Sequence, residues 1–247
     1  MKTTGNTILI TGAGSGIGRA LARRFHALGN TMLVAGRRKA ALDETIGRRE
    51  RMHAVPLDVQ DTDDIAAVVP RILAAYPDLN VLINNAGIMR REDLTRTGDL
   101  RDAEQTITTN LLGPLRLTNA LVDHLAGRPD AAIVNVTSGL AFVPLSHTPT
   151  YNATKAAIHS WTVSLREQLK GRVEVIELAP PAVQTELTAD QPQVDRYMPL
   201  GAFIDEVMAL FQQQPTPKEI LVERVGPLRF AERDGRFDEM VQMLGAF

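Results

Sequence analysis

The sequence predicts an α/β protein in which helices cover both faces of a doubly wound parallel sheet. Between Thr7 and Ala179, short apolar segments alternate with longer segments whose apolar residues recur at helical spacing. The short segments are apolar on both faces, as strands are when helices cover both sides of a sheet. Repeated strand–helix order favours parallel strands joined by right-handed crossovers. We expect one domain over residues 1–247, because 44% hydrophobic residues suffice for a buried core.

Seven apolar segments predict the strands, and the periodic segments between them predict the helices. The predicted strands are Thr7–Thr11, Thr31–Ala35, Met52–Val59, Leu79–Ile83, Ala131–Val136, Val173–Leu178 and Glu219–Val225. The predicted helices are Gly16–Leu28, a polar helix from about Lys39, a helix from Asp61 to about Ala75, roughly Leu100–Leu125, Tyr151–Leu169 and part of Met198–Gln213. Asp61 is expected to cap its helix, because a carboxylate accepts hydrogen bonds from unpaired N–H groups at a helix start.

The composition argues against several classes of function. A formal net charge of −2 and an aromatic content of 4% do not favour nucleic acid or an anionic membrane as a partner. The chain has no cysteine, which excludes disulfides, thiolate catalysis and cysteine zinc sites. No metal site is predicted, because no His/Asp/Glu cluster has ligand spacing. No segment approaches the ~20 apolar residues of a membrane span. We therefore expect a cytoplasmic protein.

A glycine-rich turn joins the first predicted strand to the first predicted helix and predicts a pyrophosphate site. Glycine lets the backbone approach a ligand closely, and the unpaired N–H groups of a helix start attract an anion. A tight turn without a ligand is the alternative. The residues predicted to bind here are Gly12, Gly14, Ser15, Gly16, Ile17 and Gly18.

The end of the second strand predicts NADP(H) in preference to NAD(H). An acidic residue there would accept hydrogen bonds from the ribose 2′-hydroxyl of NAD. This chain instead has Gly36 followed by Arg37 and Arg38. A guanidinium pairs well with a 2′-phosphate. The alternative is that both arginines are solvated surface charges.

Two further segments at strand ends are predicted to contact the dinucleotide. Asp58 and Val59 are expected beside the adenine, where the Asp58 carboxylate accepts a bond from the amino group; capping of the next helix is the alternative. Asn85, Ala86 and Gly87 are small enough for a ribose to lie against the backbone, although a plain turn explains them as well.

Tyr151, Lys155 and Ser138 predict a proton-transfer group. Tyr151 and Lys155 are four residues apart in a predicted helix and share one face. An ammonium near a phenol is expected to lower the tyrosine pKa, which makes a usable general acid and base. Ser138 follows the fifth strand at the ligand-binding edge of the sheet. Asn110 is a candidate for a polar relay to Lys155, with a local helix-internal hydrogen bond as the alternative.

These motifs together resemble the short-chain dehydrogenase/reductase family. The resemblance rests on TGAGSGIG, NNAG, Asn110, Ser138, the segment Tyr-Asn-Ala-Thr-Lys and Thr185, across about the first 190 residues. It implies a Rossmann-type fold with about seven strands and a homodimer or homotetramer. It also implies hydride transfer between NADP(H) and a small-molecule carbonyl or alcohol.

By resemblance, the catalytic residues are Asn110, Ser138, Tyr151 and Lys155. Tyr151 donates the proton in reduction, Ser138 positions the carbonyl, and Lys155 tunes Tyr151 and binds the nicotinamide ribose. Asn110 holds a water that links Lys155 to solvent. Two alternatives remain: a non-catalytic NADP(H) sensor, and an epimerase or dehydratase with tightly held cofactor.

The C-terminal third departs from the family pattern. Pro180-Pro181 replaces the usual Pro-Gly, so the loop that holds the nicotinamide carboxamide is expected to be shaped differently. Pro181, Val183 and Thr185 are still predicted to contact the cofactor. A lid is expected at about residues 185–215, and residues 226–247 form an unusual tail. The predicted substrate pocket consists of Leu140, Phe142, His147, Pro181 and residues near 187–200.

Two further sets of residues are candidates for contacts with other molecules. Arg90 and Arg91 are weighed as attractors of an acidic substrate, with solvated charges as the alternative. Subunit contacts are expected on the helices near 100–125 and 151–169, with core packing as the alternative. The candidates for those contacts are Leu117, Leu121, Trp161 and Leu165.

Overall fold

A computed structural model, which describes residues 1–188 and 194–245, contains one sheet of seven parallel strands among those residues. The strand order is β3-β2-β1-β4-β5-β6-β7. The strands are β1 Thr7–Thr11, β2 Thr31–Gly36, β3 Met52–Pro56, β4 Leu79–Asn84, β5 Ala132–Val136, β6 Glu174–Leu178 and β7 Glu219–Ile220. The predicted doubly wound α/β fold is confirmed. The order reverses between β1 and β4, and such a switch point opens a crevice at the carboxyl ends of the strands.

The helices and strands follow the predicted order, and three segments differ from the prediction. They are α1 Gly16–Ala27, α2 Lys39–Ile46, α3 Thr62–Ala75, α4 Arg101–Ile107, α5 Gly113–Ala126, α6 Pro149–Gln168, α7 Leu200–Phe211, α8 Gly226–Arg229 and α9 Phe237–Gly245. A π-helical segment at Thr108–Leu112 interrupts the predicted long helix between α4 and α5. The strand expected over Glu219–Val225 ends at Ile220, because the chain turns into a 3₁₀ helix at Glu223–Val225. The third predicted strand ends at Pro56 rather than Val59.

Two apolar layers hold the helices against the sheet. One face of the sheet packs against α1 and α7, where the buried Phe25 and Phe211 rings meet edge to face with centroids 5.4 Å apart. The other face packs against α3 and α5. Asp61 caps α3 as predicted, with its carboxylate accepting bonds from the N–H groups of Asp63 and Asp64. None of the helices in the described ranges is long and apolar enough to cross a membrane.

The candidates for subunit contacts divide between the core and the partly exposed surface. Leu117 and Leu121 are wholly buried in the layer between α5 and the sheet, so core packing explains them. Trp161 and Leu165 are half-buried on α6. The homodimer or homotetramer stays a prediction.

The C-terminal tail folds back toward the carboxyl edge of the sheet. Met240 of α9 is buried against Val143 and Ala231, which makes a small third apolar cluster. Leu228 of α8 packs on Gly139: a Cβ atom on that glycine would lie 2.8 Å from the Leu228 Cδ1 atom. The tail therefore rests directly on the loop that follows β5.

An ionic network around the buried Glu177 side chain supports the same loop. The wholly buried Glu177 carboxylate of β6 accepts hydrogen bonds from the Thr137 hydroxyl at 2.7 Å and from His159 Nδ1 at 2.8 Å. Glu219 of β7 forms a bidentate ion pair with Arg229 of α8. His159, Glu177 and Glu219 lie within 4.8 Å of one another. Both carboxylates already have protein donors, so the set is better described as an ion-pair network than as a metal site.

Phe142 joins this network to the loop after β5. The edge of its ring meets the His159 ring, with centroids 5.0 Å apart, and the Arg229 guanidinium lies 4.8 Å from the ring centroid. The hydrogen bond with Glu177 raises the pKa of His159, against the lowering effect of burial. The charged imidazolium is therefore the form that the folded protein favours.

We expect the contribution of His159 to stability to depend on pH. Because its folded pKa is raised, the contribution is fully present below its unfolded pKa of about 6.5 and is lost as the pH rises through the folded value. Urea denaturation of the protein and of His159→Gln, at pH 5.5 and at pH 9, measures it. The stability difference between the two proteins should be larger at pH 5.5. An equal difference at both pH values would contradict the ion pair.

Candidate active site

One cavity of about 800 Å³ runs along the carboxyl edge of the sheet. At one end it is lined by the glycine-rich turn between β1 and α1, and at the other by Ser138, Tyr151 and the tail. All of the predicted cofactor residues line it, namely Gly12, Gly14, Ser15, Gly16, Ile17, Gly18, Arg37, Arg38, Asp58, Val59, Asn85, Ala86, Gly87, Tyr151, Lys155, Pro181, Val183 and Thr185. The fold thus brings together the segments that the sequence singled out.

The glycine-rich turn is pressed against the loop after β4. Gly12 has a φ of +65°, and a Cβ atom there would lie 2.8 Å from the Ala86 Cα atom. A Cβ atom on Gly14 would lie 3.1 Å from the Ala41 Cβ atom. Ser15 precedes α1 without making a side-chain cap, so that helix start presents backbone N–H groups to the cavity. A backbone cradle of this kind fits the pyrophosphate of a dinucleotide.

The end of β2 gives the cavity a cationic rim. Arg37 and Arg38 are exposed, and the ion pairs found within the described part of the chain include neither of them. Lys39, which follows Arg38 in the chain, is paired with Asp43 at 2.7 Å. Asp58 does not cap α3, because Asp61 does so. Its Oδ1 atom accepts a bond from the Gln60 N–H at 3.0 Å.

Ser138, Tyr151 and Lys155 are buried together at the other end of the cavity. Ser138 and Tyr151 are each 6% exposed, and the Ser138 hydroxyl lies near enough to the Tyr151 phenol to affect its pKa. The Lys155 ammonium lies 5.6 Å from the centroid of the Tyr151 ring and donates to the Val136 carbonyl at 2.8 Å. Ser138 Oγ also accepts a bond from the Leu140 N–H at 3.1 Å. These contacts fix both hydroxyls beside each other at the cavity wall.

The pKa of Tyr151 does not follow the sequence-based expectation. Burial raises it to about 12, although the Ser138 hydroxyl acts in the opposite direction. Burial also lowers the pKa of Lys155 to about 8. The expected lowering of the tyrosine pKa is therefore wrong for this structure, because burial outweighs the polar neighbours. At neutral pH the phenol is protonated and can act as a proton donor.

Asn110 lies in the π-helical segment and is bonded to the chain after β4. Its Oδ1 atom accepts from the Ile88 N–H at 2.9 Å, and its Nδ2 atom donates to the Ile88 carbonyl at 2.8 Å. Nδ2 also lies 3.3 Å from the Thr154 hydroxyl. Gly87 lies close to both Asn110 and Lys155, since a Cβ atom on Gly87 would lie 3.4 Å from Asn110 Oδ1 and 3.7 Å from Lys155 Nζ. The side chain holds this backbone and makes no direct bond to Lys155.

The Pro180-Pro181 turn is tied to the serine loop. The Pro180 carbonyl accepts a hydrogen bond from the Gly139 N–H at 2.8 Å. Val183 forms an isolated parallel bridge with Met198, just before α7. The predicted lid at about 185–215 thus contains Met198 of this bridge and α7, while its residues 189–193 lie outside the described part of the chain.

Only part of the predicted substrate pocket lines the cavity. The predicted residues that do so are Leu140, Pro181, Leu187, Arg196 and Tyr197. Phe142 and His147 are not among the lining residues, and Phe142 instead packs between His159 and Arg229. Arg90 and Arg91 are also absent from the lining. The lining residues that the sequence did not single out include Leu145, Glu186, Arg224, Leu228, Arg236, Met240, Met243 and Leu244. The amphipathic pattern of residues 237–244 could have indicated the last three, but it does not indicate where the tail docks.

Glu186 reaches into the pyrophosphate cradle. Its Oε2 atom accepts a hydrogen bond from the Gly16 N–H at 3.1 Å, at the start of α1. Thr185 lies beside it, with its Cβ atom 3.3 Å from the position of a Cβ atom on Gly16. The Glu186 carboxylate thus takes the place that an anionic ligand group would take at this helix start.

Comparison with known proteins gives consistent matches. A family model described as short chain dehydrogenase matches residues 6–195. The oxidoreductase DltE of Bacillus subtilis is 41% identical over 247 aligned residues, with 97% of this chain and 98% of that protein covered. Sulfoacetaldehyde reductase 2 of Chromohalobacter salexigens is 36% identical over 186 residues, covering 73% of this chain and 74% of that protein.

Solved structures resemble the whole fold. A short-chain dehydrogenase from Burkholderia cenocepacia in complex with NADP has a TM-score of 0.82 at 25% identity, with 99% of each chain covered. A 3-ketoacyl-(acyl-carrier-protein) reductase from Brucella melitensis in complex with NADH has a TM-score of 0.78 at 26% identity, covering 88% of this chain and 96% of that one. Both neighbours hold a nicotinamide dinucleotide, which is NADP in the first and NADH in the second.

We expect Glu186→Gln to tighten dinucleotide binding. The substitution removes a negative charge that competes with a pyrophosphate for the Gly16 N–H and repels it. The dissociation constant for NADPH, measured by fluorescence titration, should fall by roughly three- to tenfold. Glu167→Gln, an exposed change on α6, is the matched control and should leave it unchanged. An unchanged or weaker affinity in Glu186→Gln would refute the competition.

Proposed function

Because the chain belongs to the short-chain dehydrogenase family of oxidoreductases, we propose that it reduces a small-molecule carbonyl with NADPH, or oxidises the matching alcohol with NADP⁺. Tyr151 serves as the general acid and base. The observation that carries the proposal is the burial of Ser138 and Tyr151 together, with Lys155 beside them, in the cavity that also contains the glycine cradle. A dinucleotide cradle and a proton donor in one cavity are the two parts that hydride transfer to a carbonyl requires.

Ser138, Tyr151 and Lys155 have separate roles in the proposed reduction. When bound, the nicotinamide supplies the hydride. The Ser138 hydroxyl holds the substrate oxygen beside Tyr151, and the Tyr151 O–H donates its proton to that oxygen as negative charge develops there. The raised pKa of Tyr151 keeps the phenol protonated before the reaction at neutral pH. Lys155, with a pKa of about 8, is mostly charged at pH 7 and stabilises the phenolate that remains.

The preference for NADP(H) rests on the rim at the end of β2. Gly36 stands where an acidic residue would favour NAD, and Arg37 and Arg38 offer guanidinium groups without a carboxylate partner among the described ion pairs. A 2′-phosphate brings about two negative charges to such a rim. Solved neighbours hold NADP in one case and NADH in the other, and substitution of Arg37 tests which dinucleotide this rim prefers.

The Tyr151→Phe substitution tests the chemistry. It removes the proton donor but keeps the ring, so kcat for carbonyl reduction should fall by about 10²- to 10⁴-fold while NADPH binding remains measurable. NADPH absorbance with a panel of aldehydes, ketones and oxo acids provides the rate. Tyr76→Phe makes the same chemical change beside His53, away from the cavity, and should retain full activity.

Two outcomes would contradict this proposal in different ways. Full turnover by Tyr151→Phe would remove Tyr151 from the proton transfer. Tight NADPH binding without turnover of any compound in the panel would favour the alternative of a non-catalytic NADP(H) sensor.

We also expect Arg37→Gln to weaken the discrimination between the two dinucleotides. The loss of a charge-assisted bond to the 2′-phosphate should lower the ratio of kcat/KM for NADPH to that for NADH by about tenfold or more. Arg48→Gln removes an exposed arginine just beyond α2 that does not line the cavity, and serves as the control. A ratio that stays constant in Arg37→Gln would mean that Arg37 is a solvated surface charge.

A further inference from the structure

We propose that Arg224 forms an anion subsite in the substrate end of the cavity, so that the preferred substrate is an aldehyde or ketone that carries a carboxylate or sulfonate group. The proposal rests on the proposed function and adds the chemical class of the substrate to it. It follows from where Arg224 lies, from the charges around it, and from the apolar surface next to it.

The position of Arg224 is fixed relative to the catalytic serine. Arg224 is the middle residue of the 3₁₀ helix Glu223–Val225 and lines the same cavity as Ser138 and Tyr151. Its neighbour Val225 is wholly buried, and a Cβ atom on Gly139 would lie 3.0 Å from the Val225 Cγ2 atom. Since Gly139 directly follows Ser138, this packing holds the 3₁₀ helix against the serine loop. Arg224 is itself exposed, and it lines the cavity beside this loop.

The charge of Arg224 is not neutralised by a described neighbour. Its Nη1 atom donates to the Arg196 carbonyl at 3.2 Å, and none of the ion pairs within residues 1–188 and 194–245 involves it. Arg236 also lines the cavity but is bound through two nitrogen atoms to Glu239. A guanidinium that lacks a carboxylate and faces a cavity attracts an anionic ligand.

The carboxylates that line the cavity lie elsewhere. Among the described lining residues, the acidic ones are Asp58, at the predicted adenine end, and Glu186, which is bonded to Gly16 in the glycine-rich turn. Arg224 brings a positive charge to the lining at the substrate end. The cavity thus carries a positive charge at its substrate end, away from the glycine-rich turn that is expected to bind the dinucleotide phosphates.

An apolar wall stands next to this charge. Leu140 follows the catalytic serine, Leu228 belongs to α8, and Met243 and Leu244 belong to α9, and all four line the cavity. Met240 anchors α9 by burial in the third apolar cluster. A substrate that fits both features has a carbonyl at Ser138 and Tyr151, a short apolar body on this wall and an anion at Arg224.

Paired substrates of similar size provide the test. With saturating NADPH, kcat and KM are measured for butanal, succinic semialdehyde and sulfoacetaldehyde, which are respectively neutral, a carboxylate and a sulfonate. We expect kcat/KM to be at least about tenfold higher for one or both anionic aldehydes, mainly through KM. In Arg224→Gln this advantage should fall at least tenfold, and in the unchanged protein it should shrink as KCl rises. The carboxylate and sulfonate arms identify which anion is preferred.

Two arginine variants serve as controls. Arg233→Gln removes a neighbouring exposed arginine that pairs with Asp234 and does not line the cavity, so the advantage of the anionic aldehydes should persist. In Arg236→Gln the loss should be smaller than in Arg224→Gln, because Glu239 already balances that charge.

The outcomes separate this proposal from the one on which it rests. Equal kcat/KM for neutral and anionic aldehydes, or an anionic advantage that survives Arg224→Gln, overturns the subsite but leaves the proposed carbonyl reductase intact. No reduction of any aldehyde, ketone or oxo acid overturns the proposed function and the subsite together.

Discussion

The contact between the glycine-rich turn and the loop after β4 is the constraint on which the geometry of the site depends. The Thr11 hydroxyl accepts hydrogen bonds from the N–H groups of Asn85 and Ala86, both at 3.0 Å. The side-chain amide of Asn85 donates a hydrogen bond to the Thr11 carbonyl at 2.9 Å. These bonds require the backbones to approach so closely that Gly12 cannot carry a side chain. They join the ends of β1 and β4, at the point where the strand order reverses and the crevice opens.

The end of the cavity that contains Ser138 and Tyr151 depends on burial as much as on side-chain identity. The loop that carries Ser138 is held by two sets of hydrogen bonds. The Gly139 N–H donates to the Pro180 carbonyl, and the Thr137 hydroxyl donates to the Glu177 carboxylate, which also binds His159. This support holds Ser138 against Tyr151, and the same exclusion of water raises the tyrosine pKa. One wall of the cavity therefore supplies rigidity and keeps the phenol protonated, which suits the donation of a proton more than its removal.

The features that could be predicted from the sequence are local in the chain. The glycine turn, the Asp61 cap and the spacing of Tyr151 and Lys155 each depend on a few consecutive residues, and the apolar strands follow from composition. The missed features depend on contacts between distant segments. Glu186 meets Gly16 across 170 positions, and no local pattern indicates that contact. The direction of the Tyr151 pKa shift, the short β7 and the docking of α9 likewise result from tertiary packing that overrides local propensity.

The distance in sequence between the two halves of the phosphate cradle sets an order of events during synthesis. β1, β2 and β3 are complete by Pro56, and their parallel pairing needs no later strand. Gly12 remains without its packing partner until Asn85 and Ala86 have left the ribosome and β4 has aligned beside β1. A nascent chain that ends before β4 contains the glycine-rich turn but lacks the loop after β4 that packs against it. Coenzyme can therefore stabilise the folded protein only after the second half of the crevice has been translated, and not as a template for the first.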